Sequence, residues 1–219
     1  MNKHIPYWMQ ILALFIISSL MILAFVKIGL PPVIIVGGSS VIAFIMWRWS
    51  YSNGPVPASI ILAPFLLTVA GLEVHMAEEY FTQFGPAMSR LFNITWTETS
   101  FLLVFTFAGP VIYTLTALGL YLEKSFAGFV AWFIFIGPGC AEFTHFIFPL
   151  LKPSINPEIH DSISHTFANG MTISNLPNYH YAVTGQYYFP GLYTALLPMI
   201  PGIYGIIKIV KWRRLRNTI

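Results

Sequence analysis

The run FAGFVAWFIFIGPGCAEFTHFIFPL, residues 126–150, is apolar from end to end except for Glu142, Thr144 and His145. A helical crossing of a bilayer needs ~20 such residues, and the run lacks the two-residue alternation of a membrane strand. Similar runs lie at 7–29, 31–48, 57–82, 99–122 and 187–210. With 56% hydrophobic and 9% charged residues, the chain of 219 residues reads as an all-α integral membrane bundle of about six transmembrane helices, not as one or two soluble domains. The first run exceeds a signal-peptide core and no small-residue cleavage site follows it, so it reads as a retained helix. Pro31 and Pro32 suit a tight hairpin between the first two runs. No internal repeat, phosphate-binding glycine loop or low-complexity linker divides residues 1–219, which read as a single domain.

Six crossings put both termini on the side of the second and fourth loops. That side collects Lys3, Arg48, Lys124, Lys208, Lys211, Arg213, Arg214 and Arg216, leaving Lys27, Arg90 and Lys152 opposite. The positive-inside rule then makes both termini cytoplasmic. The net charge of +3 comes mainly from the basic tail, which reads as a topological anchor beside anionic lipid and not as a nucleic-acid surface.

Against this apolar background four of the eight carboxylates fall in two places: Glu73, Glu78 and Glu79 in the third run, and Glu142 in the fifth. An ionised side chain near the bilayer centre costs ~2.5–3.5 kcal/mol on insertion scales. No Lys or Arg lies in either stretch to offset that cost, but His75 and His145 do. The motifs read His75-Met-Ala-Glu78-Glu79 and Ala141-Glu142-Phe-Thr-His145, and residues three or four apart share a helix face. The third and fifth helices run the same way through the membrane. Counted from Ile60 and Phe126 at ~1.5 Å per residue, Glu79 lies ~29 Å and Glu142 ~24 Å in. Both motifs therefore sit toward the extracytoplasmic side, and the pattern predicts one metal site with His75, Glu79, Glu142 and His145 as ligands.

Glu-x-x-His is the spacing of carboxylate-bridged di-iron and di-manganese bundles, although only one such pair is present; the zinc-protease pattern His-Glu-x-x-His is absent. Mixed imidazole and carboxylate donors suit Fe, Zn and Mn alike. Two chemistries follow: a dinuclear oxidative centre, or a single Zn²⁺ that activates water for hydrolysis. In either, Glu78 and Glu79 are the catalytic candidates, one of them serving as bridging ligand or base. Glu73 and Tyr188 read as groups that support the ligands or touch substrate. The substrate class is a hydrophobic or lipid-like molecule, and membrane lipid is the partner. Gly137-Pro138-Gly139 predicts a kink that widens the bundle beside Glu142. Plainer readings place Glu78 and Glu79 as surface caps and Glu142–His145 as an uncharged packing pair. At the level of function, the alternatives are an ion- or proton-coupled transporter and a non-catalytic membrane protein with a structural polar cluster.

The order His-x-x-Glu-Glu, Ala-Glu-x-x-His and then Tyr188-Phe-Pro190-Gly191 resembles the HXXEE-domain family of integral membrane proteins, over about residues 55–210. The resemblance implies a multi-pass helical fold and marks His75, Glu78, Glu79, Glu142, His145, Tyr188, Pro190 and Gly191; it supplies no reaction. The long polar segment 152–186 reads as an extracytoplasmic loop or lid, and His180 within it as a further ligand reaching down into the site. His160 and His165 read as solvated. The single Cys140 excludes an internal disulfide and any multi-cysteine metal site. A reporter that folds only in the cytoplasm should be active when fused after Ile219; activity only of an extracytoplasmic reporter there reverses the orientation and every depth given above.

Overall fold

The protein, seen as a computed structural model, is described over residues 5–217, so Lys3 and Ile219 lie outside the described residues. Helix makes up 68% of it, with one two-stranded sheet. The elements are α1 (Tyr7–Lys27), α2 (Leu30–Ser50), α3 (Ala58–Phe81), the short α4 (Phe84–Phe92), α5 (Glu98–Tyr121), α6 (Ser125–Ile136), a hairpin of β1 (Ile163–Thr166) and β2 (Thr172–Leu176), the single turn α7 (Tyr181–Thr184), and α8 (Leu196–Asn217). Among the described residues, five helical segments are long and apolar enough to cross a membrane: α1, α2, α3, α5 and the segment Ser125–Leu150 that contains α6. The sixth run is helical only from Leu196, not from 187, and its second half carries Lys208, Lys211, Arg213, Arg214 and Arg216.

Local chemistry explains the breaks. Gly29 turns the chain at φ 128°, and Pro31 and Pro32 occupy the first turn of α2, where a missing N–H costs nothing. The fifth run is not one helix to residue 150. Regular α-helix stops at Ile136, because Pro138 has no N–H to donate and its ring crowds the preceding turn. Gly139 N–H takes over, donating to the Ile134 carbonyl at 2.8 Å, and the chain resumes as 3₁₀ turns at Ala141–Phe146 and Phe148–Leu150. The predicted kink is thus a full change of helix type. It matters for the motif, because side chains three apart eclipse one another in a 3₁₀ turn.

The inner core is aromatic. Trp47 and Trp132 are fully buried, and each spends its indole N–H on a cross-helix acceptor: the Ser125 carbonyl at 2.7 Å and Ser50 Oγ at 2.9 Å. α8 lies along α3 and across α6 at close range. A Cβ on Gly71 would meet the Leu197 backbone at 2.6 Å, and one on Gly202 would meet Gly139 Cα at 2.9 Å. Such small-residue contacts are how membrane helices approach closely enough to gain packing energy. The half that carries the two motifs has a second core, in which Leu72, Met76, Phe84, Leu91, Phe101, Phe148 and Phe189 gather.

Segment 152–186 is held by its own hairpin, by Asn178 on the Pro157 and Ile159 carbonyls, and above all by one arginine. Arg90 on α4 is buried, and its guanidinium donates to the backbone carbonyls of Ile155, Asn156, Ile159, Asp161 and Leu176. Replacing it by methionine takes the guanidinium donor from the buried carbonyls of Ile155 and Leu176, at about 1–3 kcal/mol each. Arg90→Met should therefore expose 152–186 to limited proteolysis at temperatures where the wild-type segment resists, while the spanning helices stay inserted.

Candidate metal centre

α3 carries His75 and Glu79 one turn apart on its inward face, and the 3₁₀ segment carries Glu142 and His145 stacked on its own. The four donor atoms form an alternating ring. His75 Nε2 lies 3.1 Å from Glu142 Oε2 and 3.5 Å from Glu79 Oε1; His145 Nε2 lies 2.9 Å and 3.2 Å from the same two oxygens. All four fall within 4.8 Å of one another. A tetrahedral ion with bonds of ~2.0–2.1 Å holds its donors ~3.3–3.4 Å apart, and the four edges of the ring, 2.9–3.5 Å, lie close to that spacing. The two imidazoles meet edge to face with ring centres 4.7 Å apart.

The other nitrogen of each ring is spoken for. His145 Nδ1 lies 2.6 Å from the Pro190 carbonyl, which only accepts, so the proton is on Nδ1. Thr194 Oγ1 donates to Glu78 Oε2 at 2.6 Å, which leaves its oxygen to accept from His75 Nδ1 at 3.1 Å. Both Nε2 atoms therefore face the carboxylates. Metal-binding histidines are oriented in this way, by a carbonyl or a carboxylate on the outer nitrogen. Two carboxylates with two bare Nε2 lone pairs repel; either two protons or one divalent cation brings the quartet to neutrality. The donor set fits a metal ion.

The Tyr188-Phe-Pro190-Gly191 turn, singled out in the sequence, closes the ring from the third side. Gly191 has φ +88°, and a Cβ there would lie 2.6 Å from His75 Cε1 and 2.7 Å from His145 Cε1. Only glycine permits both the conformation and the contact.

The remaining sequence candidates divide as follows. Glu78, expected as a catalytic acid, points away from the ring. It accepts from Tyr188 Oη at 3.1 Å, from the N–H groups of Tyr193 and Thr194 at 3.3 and 2.9 Å, and from Thr194 Oγ1. Tyr188 thus touches the site through Glu78. Glu73 is exposed on the outward face of α3 and has no hydrogen bond or ion pair among the described residues. His180 is outside the four-residue group, although its Nδ1 is buried without a hydrogen-bond partner. His160 is exposed beside Asp161 at 3.9 Å, and His165 lies on β1 against Phe167. Thr194 and the Pro190 carbonyl were not read from the sequence. The signal for Thr194 is slight: the one aliphatic hydroxyl in the apolar stretch after Gly191.

The chain matches no protein-family model, no curated protein and no solved structure. Its own residues carry the functional reading. Removing the hydroxyl that couples Glu78 to His75 should weaken the site without removing a ligand: Thr194→Val is expected to lower metal affinity ~10–100-fold, measured by competition with a chelating dye. Gly191→Ala, which drives a methyl into both rings, should abolish binding.

Proposed function

We propose that this protein is a membrane-embedded hydrolase that uses one divalent metal ion of the zinc type. His75, His145 and Glu79 are the ligands and Glu142 is the general base. The carrying observation is the orientation of the two histidines, each with Nδ1 fixed by an outer acceptor and Nε2 turned onto a buried carboxylate pair. Two histidines and one glutamate are a known catalytic zinc set. Among the four, the side chains of His75, Glu79 and His145 are 0%, 3% and 2% exposed, whereas Glu142 is 15% exposed. The sealed three suit permanent ligands, and the open fourth suits a group that meets water and substrate. A zinc-type ion held there polarises a carbonyl or phosphoryl oxygen and activates water near neutral pH.

The oxidative dinuclear scheme fits less well. Bundles of that kind use two Glu-x-x-His pairs and two further glutamates, and the extra acid here, Glu78, is engaged by Tyr188, Tyr193 and Thr194. Membership of the HXXEE-domain family, six crossings with both termini in the cytoplasm, and a site on the extracytoplasmic side belong to the same proposal. They are supported by the motif order and by the distribution of basic residues.

The structural-cluster alternative has one observation in its favour: the 2.9 and 3.1 Å contacts also suit imidazolium–carboxylate hydrogen bonds. Metal analysis separates the two. Wild type purified without chelators should hold about one transition-metal ion per chain. His75→Ala and His145→Ala should lose it, while Glu142→Gln should lose activity with a smaller loss of metal. Because protons compete with the ion for the two Nε2 atoms, affinity should fall as the pH is lowered. Metal-free wild type that stays folded and refuses added Zn²⁺ overturns the proposal in favour of the structural cluster, and two ions per chain restores the dinuclear scheme.

A further inference from the structure

We propose that the centre is served sideways from the bilayer, through an opening at Glu142, and that its substrate is a glycerolipid reacting at the level of its ester linkages. This rests on the metal-hydrolase reading and names its substrate class and route.

The outward route is closed. Phe84, Phe148 and Phe189, all buried, stand around His145 with ring centres 5.3, 5.7 and 6.4 Å from it. They pack on one another, Phe84 on Phe189 at 6.0 Å and Phe148 on Phe189 at 4.9 Å. Over this plug sits α4, against which β2 is packed, with Arg90 holding the loop carbonyls. Two surface hollows of about 340 and 350 Å³ lie elsewhere, beside Trp212 and Arg216 and beside Gln83 and Thr172 respectively, and no ring residue lines either.

On the lateral side the ring reaches the surface. Glu142 is the one ring member with appreciable exposure, and Phe143, Ile147 and Leu150, on and between the two 3₁₀ turns, are 50%, 40% and 57% exposed. They belong to a segment apolar enough to span a membrane, so hydrocarbon covers them. The depth also fits. α3 has 24 residues, ~36 Å of helix against ~30 Å of hydrocarbon. His75 lies six residues and Glu79 two residues before its end at Phe81, which puts the ring centre ~6 Å from that end and ~3 Å inside the hydrocarbon edge. Glycerolipid ester carbonyls sit at that level. A water-soluble substrate meets the aromatic plug, whereas a lipid drifting past Phe143 and Ile147 brings its ester to Glu142.

The test uses the full chain in phosphatidylcholine nanodiscs. With the Zn²⁺-loaded protein, lipid-soluble 1,10-phenanthroline should strip the ion at least tenfold faster than the charged chelator EDTA. Ile147→Trp, which fills the opening, should slow phenanthroline; Phe84→Ala, which thins the plug, should speed EDTA. EDTA as fast as phenanthroline on wild type overturns the lateral route and leaves the metal site standing. A second arm needs no metal. Phosphatidylcholine bearing a photoreactive diazirine near the carboxyl end of one acyl chain should label the Glu142 carboxylate, with weaker labelling by a diazirine near the terminal methyl. Labelling of Glu142 by a water-soluble carbodiimide, with none by either lipid, overturns the route whether or not the protein binds metal. Failure of Zn²⁺ to load together with strong lipid labelling overturns the hydrolase reading and the substrate claim, and leaves only the opening.

Discussion

Two carboxylates and two imidazole nitrogens share a largely buried space, and their charge balance governs the half of the molecule around them. Desolvating each ionised group costs several kcal/mol, recovered only when partners meet every lone pair and proton. Glu79 and Glu142 recover it through what the two Nε2 atoms carry, a proton on each or one shared divalent cation. The histidines recover it through a carbonyl and a threonine, and the threonine in turn through Glu78. The chain of contacts runs from the ring to the 188–194 turn.

That balance demands backbone in places where regular helix cannot supply it. A continuous α-helix through Glu142 would bring no free carbonyl or glycine surface near His145. The break at Gly137-Pro138-Gly139 and the 3₁₀ turns beyond it re-aim the second motif, and the irregular stretch before α8 supplies the Pro190 carbonyl and the Gly191 surface. Non-helical backbone at membrane depth persists only where protein covers it. The cover is the layer of Phe84, Phe148 and Phe189, roofed by α4 and the loop that Arg90 holds. Loop order, aromatic plug and ring geometry are one construction.

The four ring residues were legible in the sequence because acids in an apolar run stand out and because their spacings, four on α3 and three on the second motif, survive either helix type. The change to 3₁₀ at Ala141 was only half legible: Gly-Pro-Gly announced a disturbance, while its form depends on Ile134 and Gly139 finding each other. Glu78 lies outside the ring for a physical reason. Its spacing from His75 allows it onto the inward face, but whether it turns there depends on the N–H groups of Tyr193 and Thr194, over a hundred residues away in sequence. Arg90 passed as one more outer-side cation, since nothing local marks a guanidinium that will serve five distant carbonyls.

Glu73 shows the limit of reading function from intramembrane charge alone. By composition it ranks with Glu79: same helix, same apolar run, no cation nearby. At 100° per residue it lies 200° around the helix from His75, which turns it outward, where it is exposed. Glu79, one turn beyond His75, comes back inward to the same pair of nitrogens as Glu142. The cost of an acid in the membrane says that each needs an explanation, but only convergence from separate segments distinguishes a site from a solitary carboxyl. Here α3, the 3₁₀ turns and the 188–194 turn converge on one point, and Glu73 faces away from all three.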